Sequence, residues 1–273
     1  MNHANMPHAL VVTFNAQQLP TLVAKASTLV SADIDIVAFC DHEELQRIKL
    51  VLAGEAYTQL ALTLHHYEDQ VRLVSHIKDA VIYRPDIAVF VYRSWPLEAR
   101  ESDLVKALFE YTQCRNLYLA GHSRWAESPK LLATVDVLDD SAAQRKLDET
   151  VLARTESKRQ LLSGSMHLLS VVPMSFFTLE LEIKSQDEVR TQRLSEVMDK
   201  QQTLVLQAEL DCDFLQYVEA GAPYEEIQST AKRINADLVV LGNVGRTGVT
   251  GLFIGNTAEK ILTHLRVDAL IVR

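Results

Sequence analysis

Asp237-Leu238-Val239-Val240-Leu241-Gly242-Asn243-Val244-Gly245-Arg246-Thr247-Gly248-Val249-Thr250-Gly251-Leu252-Phe253-Ile254-Gly255-Asn256-Thr257-Ala258-Glu259-Lys260 decides the fold. Its apolar start, Asp237 to Leu241, reads as a buried parallel strand. Its end opens a helical pattern from Thr257 to Leu265, apolar at Ala258, Ile261, Leu262 and Leu265. Between them lies a glycine-rich strand-to-helix loop. Glycine lets a backbone turn sharply and approach a ligand closely. The helix start beyond it offers free N–H groups and the positive end of a dipole. Gly242, Gly245 and Gly255 thus read as a phosphate cradle, or as a tight turn with close helix–strand packing.

Working outward, apolar runs alternate with helical patterns along the 273 residues. Strands are expected at His8–Phe14, Asp33–Cys40, Thr58–Leu64, Asp86–Tyr92 and Asn116–Ala120. Helices are expected at Leu19–Leu29, from Asp41, at Asp69–Tyr83 and at Asp103–Cys114. The third helix should bury Val71, Val74, Ile77, Ala80 and Val81. Then the pattern restarts. Strands are expected at Leu131–Asp136, Met166–Val172, Phe214–Val218, Asp237–Leu241 and Asp268–Val272. Helices are expected at Ser141–Leu162, within Leu179–Gln207, and from Pro223 to Ile234. Such alternation implies βαβ units and parallel sheets. The expected fold is α/β, with two tandem doubly wound five-stranded parallel-sheet domains, 1–126 and 127–273. The polar stretch Gly121 to Pro129 marks the boundary.

The two halves differ where a ligand would bind. Only Gly54 and Gly121 precede residue 126, whereas seven glycines follow it. The fourth strand of the first half leads into Arg93-Ser94-Trp95-Pro96, a loop too bulky to bring backbone N–H groups to a phosphate. The first domain reads as degenerate.

Asp136 ends a strand, where open α/β sheets place ligand groups. It suits a ribose hydroxyl or a metal-bound water, or else a capped turn. Arg246 offers guanidinium donors to an oxyanion, or is a solvated surface residue. Asn256 and Thr257 can donate to phosphate, while Asn256-x-x-Glu259 also resembles a capping box. Met174, Phe176 and Phe177 form an apolar cluster that suits core, interface or pocket wall.

The second half resembles the universal stress protein family, and the two-domain arrangement resembles its tandem, E-type members. The family's nucleotide pattern, G-x2-G-x9-G followed by Ser or Thr, matches Gly242, Gly245 and Gly255; Asn256 replaces the hydroxyl residue and Thr257 follows. The family's first-strand aspartate matches Asp136. Its position meeting adenine through the backbone matches Val171. The resemblance implies ATP or another adenine nucleotide, with or without Mg, at Asp136, Val171, Gly242, Gly245, Gly255, Asn256 and Thr257, and Arg246 joins that set by its own chemistry as a donor to phosphate. It also implies a stress-response role and a homodimer or other self-association. Protein partners are not identified.

The formal charge of −9 opposes broad nucleic-acid binding and docking on anionic membranes. No apolar run reaches the roughly 20 residues of a membrane span. Three dispersed cysteines, Cys40, Cys114 and Cys212, fit a reducing compartment, with the cytoplasm the expected location. His65 and His66 are adjacent, which on a strand sets them on opposite faces. No G-x-S-x-G, H-E-x-x-H or Walker lysine pattern occurs. Turnover is therefore not expected beyond slow ATP hydrolysis. Two other readings stay open: a nucleotide-free interaction protein using both domains as partner surfaces, and a binder of an apolar small molecule.

Overall fold

Strands buried on both faces carry unbroken apolar runs, and such runs are strands in the computed structural model. It describes residues 8–30, 33–95, 98–173, 186–210, 212–243 and 265–273. These fall into two units, one ending at Trp125 and the other beginning at Ala126.

The first unit contains β1 (Ala9–Thr13), α1 (Leu19–Leu29), β2 (Ile34–Phe39), α2 (His42–Leu52), β3 (Leu62–Tyr67), α3 (Gln70–Tyr83), β4 (Ala88–Tyr92), α4 (Ala99–Tyr111) and β5 (Asn116–Ala120). Its strands run β3-β2-β1-β4-β5, all parallel. Every residue of the central strands β1 and β4 is buried, so the core follows the middle of the sheet. Short polar side chains start the helices. Asp41 accepts from the Glu44 N–H at α2, and Asp69 from the Arg72 N–H at α3. Such caps satisfy donors that have no partner within the helix.

The second unit contains β6 (Lys130–Thr134), α5 (Ala142–Leu162), β7 (Ser165–Val172), α6 (Gln186–Gln207), β8 (Phe214–Ala220), α7 (Pro223–Ile234), β9 (Leu238–Gly242) and β10 (Asp268–Val272). The order is β8-β7-β6-β9-β10, again all parallel. Each unit is thus a doubly wound α/β arrangement of five strands, with the first-made strand central. Ser141 caps α5 by accepting from the Gln144 N–H, and Pro223 occupies the first turn of α7.

Four expectations need correction. The third strand is Leu62–Tyr67 rather than Thr58–Leu64. Residues Glu55–Tyr57 form a 3-10 turn that Thr58 closes with an N–H to the Glu55 carbonyl, so pairing with β2 begins only at Ile34 opposite Leu62. The third helix buries Leu73, Val74, Ile77 and Val81. Val71 is 77% exposed, and Ala80 is only half-buried. The fourth helix starts at Ala99, four residues before Asp103, because Glu98 and Glu101 cap it. Finally, β6 stops at Thr134, which leaves Asp136 in the loop beyond it. Residues 179–185 and the cluster Met174, Phe176 and Phe177 lie outside the described residues.

Cys40 and Cys114 are buried, Cys212 is half-buried, and all three are free thiols. Burial pushes the Cys40 and Cys212 thiols up to about 11, with nearby carboxylates adding to the shift. Among the described residues, no helix is long and apolar enough to cross a membrane. Nor do the described His, Cys, Asp and Glu side chains form a group able to hold a metal ion.

Candidate functional site

Ligand groups in an open parallel sheet collect where the strand order reverses. In the second unit β7 and β8 lie to one side of β6, and β9 and β10 to the other. The reversal therefore falls between β6 and β9. Thr134 pairs with Leu241 across that junction. The residues leaving the two strands, Val135-Asp136 and Gly242-Asn243, start side by side. The backbone there is firmly tied. Val135 donates its N–H to the Leu169 carbonyl at 3.0 Å, and Asn243 to the Val272 carbonyl at 2.9 Å. The Thr134 hydroxyl reaches the Val240 carbonyl at 3.1 Å.

Asp136 is exposed at the mouth of this junction. One carboxylate oxygen accepts from the Leu138 N–H at 3.2 Å, closing a short turn. The turn explains part of its role and leaves the exposed carboxylate available to solvent or ligand. Behind it stands Asp148 of α5, only 2% exposed. Asp148 Oδ1 accepts from the Asp136 N–H at 3.2 Å and from the Gln144 amide at 2.8 Å. Burial pushes the Asp148 carboxyl up to about 6, although both hydrogen bonds oppose the shift. On the other side of the loop, the Lys200 ammonium donates to the Val137 carbonyl at 3.3 Å and lies 3.4 Å from Asp140.

Gly242 is the last residue of β9, and its lack of a side chain is used. A Cβ there would sit 2.7 Å from both Cγ and Cδ2 of Leu147 on α5. Any larger residue must displace that leucine, so close helix–strand packing by itself accounts for glycine here.

Val171 lies near the end of β7, half-buried and opposite Glu219 of β8. Its neighbour Ser170 ties the strand to the site. The Ser170 hydroxyl donates to the Val135 carbonyl at 3.1 Å, and the Gln201 amide of α6 donates to Ser170 Oγ at 2.9 Å and to the Tyr217 carbonyl at 3.1 Å. A buried hydrogen-bond chain therefore links α6, β7, β8 and the segment carrying Asp136.

The fold brings Asp136 and Gly242 to one junction, with Val171 one strand away. Gly245, Arg246, Gly255, Asn256 and Thr257 lie outside the described residues. Asp148, Ser170 and Gln201 belong to no motif in the sequence. The available signal for Asp148 was its place among Leu147, Val151 and Leu152, on the buried face of α5.

Residues 130–273 match the model of the universal stress protein family, a span of more than half the chain. The chain belongs to the universal stress protein family. Among its relatives, universal stress protein E of Escherichia coli K12 is 30% identical over 156 residues, which is 55% of this chain and 48% of that protein. The homolog of universal stress protein E from Haemophilus influenzae is 28% identical over 153 residues, 54% of this chain and 48% of that one. This universal stress protein thus spans about half the length of the curated relatives it matches. In structure it resembles a protein of unknown function from Pseudomonas aeruginosa PAO1, with a TM-score of 0.68 at 20% identity, covering 98% of this chain and 93% of that one. It also resembles a universal stress protein from Archaeoglobus fulgidus, with a TM-score of 0.60 at 15% identity, covering 98% and 99%. At these identities the likeness is one of fold.

Proposed function

We propose that this universal stress protein is a stress-response regulator whose second domain, 127–273, takes ATP or a related adenine nucleotide, with or without Mg. The observation that carries the reading is the meeting of Asp136 and Gly242 at the strand-order reversal of the second unit. That junction is where a doubly wound sheet accepts a nucleotide. In this reading Asp136 meets the ribose and the Val171 backbone meets adenine. Gly242, Gly245 and Gly255 let the following loop approach the phosphates, and Arg246, Asn256 and Thr257 supply donors. The stress role follows the names of the related E proteins. The first domain, 1–126, is the partner that binds no nucleotide.

Among the described residues, Asp136 is held by the Asp148 carboxyl, which accepts its N–H, and by the Leu138 N–H, which its own carboxylate accepts. The proposed role is ligand-dependent regulation, with at most slow ATP hydrolysis.

Thermal melting tests the proposal. Mg-ATP, ADP or AMP at about 100 times its dissociation constant should stabilise a one-site native state by about 2.7 kcal/mol. Asp136→Ala should reduce the shift, while the ligand-free melt loses only one exposed turn hydrogen bond, that from the Leu138 N–H. No shift with any of the three nucleotides removes the nucleotide reading and leaves the partner-surface alternative standing.

A further inference from the structure

The first unit repeats the strand order of the second, so its own reversal falls between β1 and β4. The loop leaving β4 carries Arg93, Ser94 and Trp95, and α4 begins at Ala99. Glu101, 2% exposed, turns back beneath this loop. Its Oε2 accepts from the Ser94 N–H at 2.8 Å, the Ser94 hydroxyl at 2.6 Å and the Glu98 N–H at 3.3 Å. A helix cap accounts for the Glu98 contact. It does not account for the two from Ser94, which lies five positions before the helix. Three donors of a strand-to-helix loop meeting one anionic oxygen is the arrangement such a loop offers to a phosphate.

The neighbouring residue lies over aromatic surface at the same end of the sheet. Arg100 lays its guanidinium over the Phe39 ring, 4.0 Å from the centroid, and lies 5.7 Å from the centroid of Phe14. Phe14 leaves β1 and Phe39 ends β2, so both rings stand at the same end of the sheet as the β4 loop. A flat cation on an aromatic face covers the surface on which a planar base would stack. Asn15, which matches Asp136 in order, is also engaged; its side-chain oxygen accepts from the Gln17 and Gln18 N–H groups, each at 3.1 Å.

We propose that the first unit is occupied by its own side chains, with the Glu101 carboxylate held in the anion position of the β4–α4 loop and Arg100 covering the aromatic surface beside it. The unit then keeps the shape of a liganded domain without a ligand. Its loss of glycines becomes a replacement of the ligand rather than simple erosion.

The inference rests on the first unit alone, and so does its test. Both tryptophans, Trp95 and Trp125, lie in that unit, so tryptophan fluorescence reports its unfolding separately from nucleotide binding elsewhere. In the full chain, Glu101→Ala should lower the fluorescence-detected melting temperature. Inorganic phosphate should restore it with increasing concentration, whereas chloride at matched ionic strength should not. The wild-type fluorescence transition should ignore phosphate. A Glu101→Ala protein that melts cooperatively but is unmoved by phosphate overturns the proposal, because Glu101 is then only a helix cap. A wild-type transition raised by phosphate overturns it too, because the site is then open. If Glu101→Ala does not fold in either salt, Glu101→Asp decides. The shortened carboxylate leaves donors partly unfilled, and phosphate must raise its melting temperature above that in chloride or the proposal fails.

Discussion

Asp148 stands on the buried face of α5, holding the Asp136 N–H and the Gln144 amide on one carboxylate oxygen. Its carboxyl titrates near 6, raised from 3.8 chiefly by burial. The folded chain thus retains a proton between pH 4 and 6 that the unfolded chain has released. The contribution of this carboxyl to stability falls as pH rises through that window, by on the order of 2–3 kcal/mol in all. Asp148→Asn keeps the accepting oxygen and removes the charge. It should raise stability at pH 7 by about 1–3 kcal/mol and change little at pH 4. Urea denaturation at the two pH values measures this, and an equal effect at both would exclude ionisation as the cause. The adjacent acid Glu149 is an ordinary surface residue in composition terms. Nothing but its place on the helix separates Asp148 from it, which is why the sequence alone did not mark it. Asp136 and Gly242 were legible because each ends an apolar run, a purely local signal.

Packing between α5 and β9 turns on Gly242 and Leu147. Adding a methyl group at Gly242 brings it within 2.7 Å of the leucine side chain. Gly242→Ala should therefore cost about 1–3 kcal/mol, as overpacking in a filled core does. Combining it with Leu147→Ala should recover part of that loss, giving a measurable coupling in a denaturation double-mutant cycle. Additive effects would show that the glycine serves the loop rather than the helix contact. A nucleotide-binding defect in Gly242→Ala alone would not separate the two roles, whereas Asp136→Ala avoids this ambiguity. Elements with strong local punctuation lie within one residue of their expected bounds. Pro20 sits in the first turn of α1, and Ser141 caps α5. Those with weak punctuation were displaced. β3 is an outer, half-exposed strand, so its alternation blends into Leu60 before it. α4 has Glu98 at its N-cap, where Ser, Thr, Asp or Asn is the usual starting signal. On α3, reading Val71 into the core missed that Leu73 and Val74 already complete the buried stripe.

The whole chain carries a formal charge of −9. Proteins that hold nucleic acid without sequence preference do so through basic surfaces whose binding is salt-dependent. This chain should leave duplex DNA unretarded in a gel at micromolar protein, and a complex that added salt dissolves would contradict that expectation. The repetition of one strand order in two units was legible because each half restarts the same sequence of apolar runs. How the first unit fills its own loop was not, because Ser94 and Glu101 meet only once the loop after β4 folds onto the first turn of α4. Their order in the chain has a further consequence. The central strands β1 and β6 are synthesised first, yet their second neighbours come late: Ala9 waits for Ala88, and Leu131 for Leu238. At translation speeds of about 5–20 residues per second, a wait of roughly a hundred residues lasts roughly 5–20 seconds. During that interval a largely apolar strand has at most one flank paired. The nascent chain is therefore most vulnerable to aggregation, and most dependent on chaperones, just before β4 and again just before β9 leaves the ribosome.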